Sequence, residues 1–247
     1  MRKSCLYTIL VLAIVMTGCD DSDKKTNNTS DPQAGIAPAV IPFAVVAAYP
    51  HDTTFFTEGL EFYKGQLFES SGGNKEASPY PSAVGIVNTG TGKVAIKIEI
   101  DNAKYFGEGI TFFKDKLCWL TLVNGIGFVY DANSFQLLKT FKLPSKQGWG
   151  LTHDNEHLIL SDGSNQLFLL QPDSLQVVKV ISISDNNGPV ANINELEYIN
   201  GYLYANQWLT NYILKIDMAT GKVVGRLDLT NLQQDAEKKL KVYRELN

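Results

Sequence analysis

The chain is poor in the residues that carry metal or covalent chemistry. It has 3 cysteines and 3 histidines in 247 residues. Cys5 and Cys19 fall near the start, so Cys118 stands alone in the remainder and an internal disulfide is excluded there. An oxidising compartment stays compatible with that usage. Cys118 lies in the strand-like run KLCWLTL and reads as a buried, inert thiol. His153 and His157 have H-x-x-x-H spacing, but a polar turn rather than a helix separates them, so they share no face for zinc. His51 is isolated, and no metal set is expected. No G-x-S-x-G, P-loop or dinucleotide fingerprint occurs, and no cofactor is expected. Gly85, Gly90 and Gly92 read as turn residues, as does Asp162-Gly163-Ser164. Helical periodicity is almost missing outside residues 231–246. There is no basic excess either: 22 Lys and Arg stand against 26 Asp and Glu, which argues against a nucleic-acid footprint.

What is present begins with a short leader. Arg2 and Lys3 precede an apolar run over residues 5–16 that is too short to span a bilayer comfortably. It ends Met16-Thr17-Gly18-Cys19, small residues before a cysteine, the pattern of a bacterial lipoprotein signal. Residues 1–18 then read as the signal, with Cys19 lipidated and holding the protein to a membrane without crossing it. An ordinary secretory signal cut nearby is the alternative. Residues 19–40 are polar, then rich in Pro and Ala, and read as a flexible tether. Residues 41–247 suffice for one domain with a sizeable core. Without Arg2 and Lys3 the chain has 20 basic and 26 acidic residues, a charge of −6.

The domain is built from repeats. FFTEGLEFYKGQLFESSG, YFGEGITFFKDKLCWLTL, QGWGLTHDNEHLILSDGS and NINELEYINGYLYANQW each read as strand, polar turn, strand, the signature of a β-hairpin. Between them lie four further strand pairs joined by turns of the type D-x-x-T/S-G/F, such as IDMATGKVVG. Aligning Glu58, Glu108, Gly150 and Glu195 gives spacings of 50, 42 and 45 residues. Four strands repeating every 40–50 residues without helices point to a β-propeller; a β-sandwich is the alternative. A fifth repeat would begin where the chain ends, so an incomplete fifth unit is expected.

Taken in order, FTEGLEF, FGEGITFF, GWGLTHD, LILSDGS, INELEYINGYLYANQW and IDMATGKVVG resemble the glutaminyl-peptide cyclotransferases of the plant and bacterial type. The resemblance covers about residues 46–247. It implies an all-β fold, a five-bladed β-propeller, here with the fifth blade truncated at the C-terminus. It implies an acyltransferase that converts N-terminal glutamine of peptides or proteins to pyroglutamate and ammonia. By position, Glu108 matches the family's proposed catalytic carboxylate. Phe56, Glu58, Trp149, Asn194, Glu195 and Trp208 match substrate-binding positions, with Glu58 replacing the usual glutamine. Two departures stand out. A family tryptophan falls at Leu122, and the family's closing G-I-A-Y-D and T-G-K-x-W-P segments, the second with a lysine near the active site, are not matched.

These residues suit the reaction. In a propeller the first strand of each repeat lines the central channel, so Glu58, Glu108 and Glu195 would converge on one mouth. The amine must lose a proton to attack the γ-carbonyl, and the leaving nitrogen must gain one; a single carboxylate in reach of both does this. Ring closure is intramolecular, so positioning lowers much of the barrier. Trp149 and Trp208 would fold the side chain back, and Asn194 would hold the amide or its oxyanion. A monomer in an extracytoplasmic, lipid-anchored location is expected. The rival reading is a propeller lipoprotein that binds a ligand or protein at the channel mouth without catalysis.

Overall fold

Each of the four repeats folds into a four-stranded antiparallel sheet in the computed structural model, which describes residues 35–73 and 80–240. The signal, Cys19 and most of the tether lie outside the described residues. A short strand, β1 (Ala39–Val40), comes first. The first sheet is β2 (Thr57–Tyr63), β3 (Gln66–Ser71), β4 (Ser82–Val87) and β5 (Val94–Ile100). The second is β6 (Gly107–Phe113), β7 (Lys116–Thr121), β8 (Ile126–Asp131) and β9 (Leu137–Lys142). The third is β10 (Leu151–His153), β11 (Leu158–Ser161), β12 (Gln166–Leu170) and β13 (Val177–Ser182). A small hairpin, β14 (Ser184–Asp185) and β15 (Gly188–Pro189), precedes the fourth sheet. That sheet is β16 (Ile193–Ile199), β17 (Tyr202–Gln207), β18 (Tyr212–Asp217) and β19 (Lys222–Asp228), and helix α1 (Thr230–Leu240) follows. The helix expected over residues 231–246 is thus present through Leu240; residues 241–247 lie outside the described residues. Within the first three sheets the strands pair in chain order; the fourth does so from β16 to β19 and continues past β19 through β14 and β15.

One expectation is corrected at the N-terminal side. The tether expected through residue 40 ends sooner, because β1 pairs in parallel with β19, Ala39 opposite Gly225. β19 is the last strand of its repeat, and its outer side is covered in parallel by β1 and, at Lys222, by Ser184 of β14.

The turns explain why the repeats fold alike. Between the first two strands of each sheet the chain takes a left-handed residue: Lys64 and Gly65, Lys114, Asn155, and Asn200 with Gly201. Such residues give tight hairpins whose twist matches the strands. The turn between the last two strands is also shared. The amide four residues on donates to the carbonyl of Asn88, Asp131, Gln171 and Asp217, at 2.7–2.9 Å. The donors are Gly92, Phe135, Leu175 and Gly221, all at positive φ. Glycine meets this conformation without strain, whereas Phe135 and Leu175 adopt it at a cost of about 1 kcal/mol.

Three apolar clusters weld the sheets in series. Trp119, Phe112 and Ile110 of the second sheet pack on Phe68 and Val84 of the first. Leu120, Cys118 and Val129 pack on Leu151 and Leu160 of the third. Ile159, Leu167 and Ile181 pack on Ile193, Leu203 and Ala205 of the fourth. The first strands are neighbours in the same order: β2 lies against β6, β6 against β10 and β10 against β16.

Among the described residues there are four such sheets, not the five of the expected family fold, and the outer faces of the first and last are uncovered. Leu60 and Phe62 are 44% and 72% exposed, while their register equivalents Ile110 and Phe112 are 1% and 3% exposed. On the fourth sheet Ile199 and Tyr202 are exposed.

Candidate functional site

The site grows from a defect repeated in the first strands. In β2 the pairing jumps from Thr57–Ser71 to Gly59–Ser70, leaving Glu58 without a partner. In β6 it jumps from Gly107–Thr121 to Ile110–Trp119, and in β16 from Ile193–Gln207 to Leu196–Ala205. The third repeat does the same without regular pairing: the amide of Trp149 donates to the carbonyl of Ser161, and the Ser161 amide to the carbonyl of Gly150. A bulge of this kind bends the strand and re-aims the extra side chain. Four side chains occupy the bulge: Glu58, Glu108, Trp149 and Asn194.

This register corrects the repeat alignment. The structure matches Glu58 and Glu108 with Trp149 and Asn194, not with Gly150 and Glu195, so the repeats begin 50, 41 and 45 residues apart. Gly59, Gly109 and Gly150 hold the next position, and the reason is close approach. A Cβ on Gly59 would lie 3.1 Å from the Cα of Gly109, and one on Gly109 would lie 2.9 Å from the Cα of Gly150. One on Gly150 would lie 2.7 Å from the Cα of Glu195. Glu195 takes the glycine position in the fourth repeat, where no described first strand follows it.

The strands are clamped at this level. The carbonyl of Glu108 accepts Ser70 Oγ at 2.8 Å and Trp119 Nε1 at 3.1 Å. Gly109 N donates to the carbonyl of Trp149 at 2.9 Å, and Ser161 Oγ donates to that of Asn194 at 2.8 Å. These hydrogen bonds tie each bulge to its neighbour, so the four side chains sit on rigid backbone.

Glu58 and Glu108 are 8% and 5% exposed and hydrogen-bond to each other through their side chains. Burial pushes Glu58 from 4.5 up to about 8, and the bond to Glu108 opposes the rise. Glu108 is pushed well above the carboxylate range, first by burial, then by the charges of Glu58 and Glu195. Glu195 is raised likewise by burial and by Glu197, Glu58 and Glu61. Its Oε2 is buried with no hydrogen-bond partner. Glu61, raised to about 8 chiefly by burial, accepts the amide of Phe112 at 2.8 Å.

Aromatic walls flank the carboxylates. Trp149 and Trp208 meet edge to face, 5.4 Å between centroids at 81°. Trp149 Nε1 donates to Gln147 Oε1 at 3.1 Å, and its ring lies over Gly163, where a Cβ would stand 2.5 Å away. Gly72 is the matching position beside Glu58, and a Cβ there would lie 2.8 Å from Glu58 Oε1. Leu122 holds that position in the second repeat, its amide donating to the carbonyl of Phe106. Phe56 is exposed, and its carbonyl accepts the amide of Gly72.

The structure therefore brings together Glu58, Glu108 and Glu195, and separately pairs Trp149 with Trp208. Asn194 shares the bulge position with Glu58 and Glu108. Three residues went unread in the sequence. Phe106 precedes Glu108 by two positions, as Phe56 precedes Glu58, and the F-x-E spacing was its signal. Glu61 and Glu197 were visible as E-x-x-E and E-x-E. Elsewhere, Cys118 is buried and its thiol is pushed up to about 12 by burial. His157 pairs with Asp154 at 3.4 Å across the turn from His153. No group of three or more His, Cys, Asp or Glu among the described residues is arranged to hold a metal.

The family model described as glutamine cyclotransferase matches residues 10–245. The chain belongs to the glutamine cyclotransferase family. It is 38% identical over 192 residues to the glutaminyl-peptide cyclotransferase of Arabidopsis thaliana, a match over 77% of this chain. The chain spans 58% of that plant protein's length. The crystal structure of Myxococcus xanthus glutaminyl cyclase is 32% identical, with a TM-score of 0.67 over 77% of this chain and 78% of that one. A Bacteroides caccae protein of unknown function shares the fold at 21% identity and a TM-score of 0.54, over 72% of this chain and 68% of that one.

Proposed function

We propose that this cyclotransferase-family chain converts the N-terminal glutamine of peptides or proteins to pyroglutamate with release of ammonia. The observation that carries the reading is Glu108: a buried carboxyl on a bulge, held by two hydrogen bonds to its own carbonyl and faced by two further glutamates. Burial and like charge raise its proton affinity, which suits a group that must take up a proton and give it back near neutral pH. Glu108 accepts the proton as the amine attacks the γ-carbonyl, and the leaving nitrogen is protonated at the same place. Trp149 and Trp208 hold the side chain folded against its amine, and Asn194 donates to the oxyanion. The anionic mouth draws in a free N-terminal ammonium.

The sheets form the greater part of a five-bladed propeller in this reading. The chain acts as an extracytoplasmic monomer, tethered through lipid on Cys19. Palmitate labelling of wild type and Cys19→Ala checks the anchor: label in both proteins contradicts it.

The activity is tested with a Gln-initiated dipeptide and the same peptide N-acetylated. Ammonia from the free peptide alone supports cyclisation, since only a free amine can close the ring. Ammonia from both means a simple amidase. Ammonia from neither, with folding verified, leaves the binding propeller.

A further inference from the structure

A cavity of about 230 Å³ lies beside the tryptophan wall, between the β14–β15 hairpin, the connector after it and one face of the fourth sheet. Its rim is continuous with the site. Gln207 lines the cavity, and the next residue, Trp208, donates its amide to the carbonyl of Asn192 at 2.9 Å. Ala191, just before Asn192, also lines the cavity and accepts Gln207 Nε2 at 3.2 Å. The Asn192 amide donates at 2.9 Å to the carbonyl of Gly163, the glycine against the Trp149 ring. A chain leaving the two tryptophans on this side runs onto the cavity.

The cavity holds a cation where the other repeats have none. Followed outward through their cross-strand partners, Leu60, Ile110, Leu151 and Leu196 lead to Ile96, Thr140, Val180 and Arg226 on the last strands. Arg226 is the only arginine over residues 35–240; the other basic residues there are lysines. Its guanidinium lies over the ring of Tyr212, 4.6 Å from the centroid, and both residues line the cavity. Among the described residues no carboxylate forms an ion pair with it. Asp228, two residues on, feels its charge, but Asp228 Oδ1 accepts the Thr230 amide and hydroxyl at 3.0 and 2.6 Å. Asp185, also in the lining, accepts the Asn187 amide through Oδ1 at 2.7 Å. A stacked guanidinium keeps its N–H edge for a planar carboxylate, which it takes through two parallel hydrogen bonds.

Resting on the cyclotransferase reading, we propose that this cavity is a subsite for the peptide beyond its N-terminal glutamine, in which Arg226 binds a carboxylate. The volume is below the roughly 300–1,000 Å³ of pockets that enclose a whole ligand, and it suits part of an extended chain. The carboxylate has two sources: an acidic side chain soon after the glutamine, or the C-terminus of a short peptide.

Three kinds of Gln-initiated glycine peptide separate the sources. Amidated peptides with a single Asp walked along the chain offer only a side-chain carboxylate. All-glycine peptides of increasing length with a free C-terminus offer only a terminal one, and the amidated all-glycine peptide has neither. At one position or length kcat/KM should exceed that of the neutral amide by about fivefold, through KM, and the gain should fade in high salt. Arg226→Met keeps the stem and removes the charge, so the ratio of acidic to neutral kcat/KM should fall to about one. A ratio taken within one protein is not mimicked by a general loss of activity. No preference in wild type, or a preference kept in Arg226→Met, overturns the subsite and leaves cyclisation standing. A second measurement needs no turnover: the same peptides begun with pyroglutamate are titrated against the Nε–H resonance of Arg226, assigned by its loss in Arg226→Met. A shift with acidic but not neutral peptide supports the subsite, and no shift overturns it. A shift without turnover of any Gln-peptide sinks the cyclotransferase reading, and the cavity's role as a substrate subsite with it.

Discussion

Replacing Glu58 with glutamine should flatten the dependence of folding stability on pH. The carboxyl has a pKa of 4.5 when free and about 8 in the fold. Below pH 4.5 both states carry the proton and the group contributes nothing to the slope. Between 4.5 and about 8 the unfolded chain ionises Glu58 while the folded chain keeps it protonated. The unfolded state then binds fewer protons, so stability falls as pH rises, by about 1.4 kcal/mol per pH unit. Across the interval the loss amounts to about 5 kcal/mol, and it levels off above pH 8 once both states are ionised. A domain has roughly 5–15 kcal/mol in all, so the effect is large enough to read directly. Glutamine has no proton to lose, and its presence also removes the like charge beside Glu108. Urea unfolding followed by tryptophan fluorescence at pH 5, 6, 7 and 8 measures it. The stability of Glu58→Gln relative to wild type should climb steadily with pH. Parallel curves for the two proteins would refute the assignment of a buried, protonated Glu58.

Other perturbations reach different parts of the account. Gly109→Ala places a Cβ 2.6 Å from the Trp149 carbonyl and 2.7 Å from Leu151 N; both are backbone, so a loss of about 1–3 kcal/mol is expected by calorimetry. Trp119→Phe removes the indole N–H held by the Glu108 carbonyl and should cost about 1–2 kcal/mol, with kcat falling more than KM rises. A double-mutant cycle on Trp149 and Trp208 should return a coupling of about 0.5–1.5 kcal/mol in kcat/KM; simple additivity would dissolve the paired wall. Cys118 should resist thiol reagents until the protein is denatured, and rapid labelling of the native state would contradict its burial.

Local chemistry was legible in the sequence and register was not. Asn200-Gly201 and Lys64-Gly65 announce their hairpins, and the D-x-x-T/S turns announce the outer ones, because each demands a particular residue. The β-bulge makes no such demand. It admits Glu, Trp or Asn, so matching the repeats by residue type set Glu195 against Glu58 and moved two repeats by one place. The glycine beside each bulge was the better guide, since backbone crowding leaves room for nothing else at Gly59, Gly109 and Gly150. Glu61 was hidden for a related reason: its bond to the Phe112 amide crosses between sheets and leaves no trace in local spacing. Lipidation at Cys19 rests on the residues before it alone.

The central claim is that Glu108 carries the proton of a glutamine cyclisation. It is tested most directly by ammonia release and pyroglutamate formation from a Gln-initiated peptide, for wild type and Glu108→Gln matched by circular dichroism and melting temperature. The account predicts equal amounts of the two products from wild type and a fall of at least about 100-fold in the variant. Wild-type rates from a folded Glu108→Gln protein would contradict it.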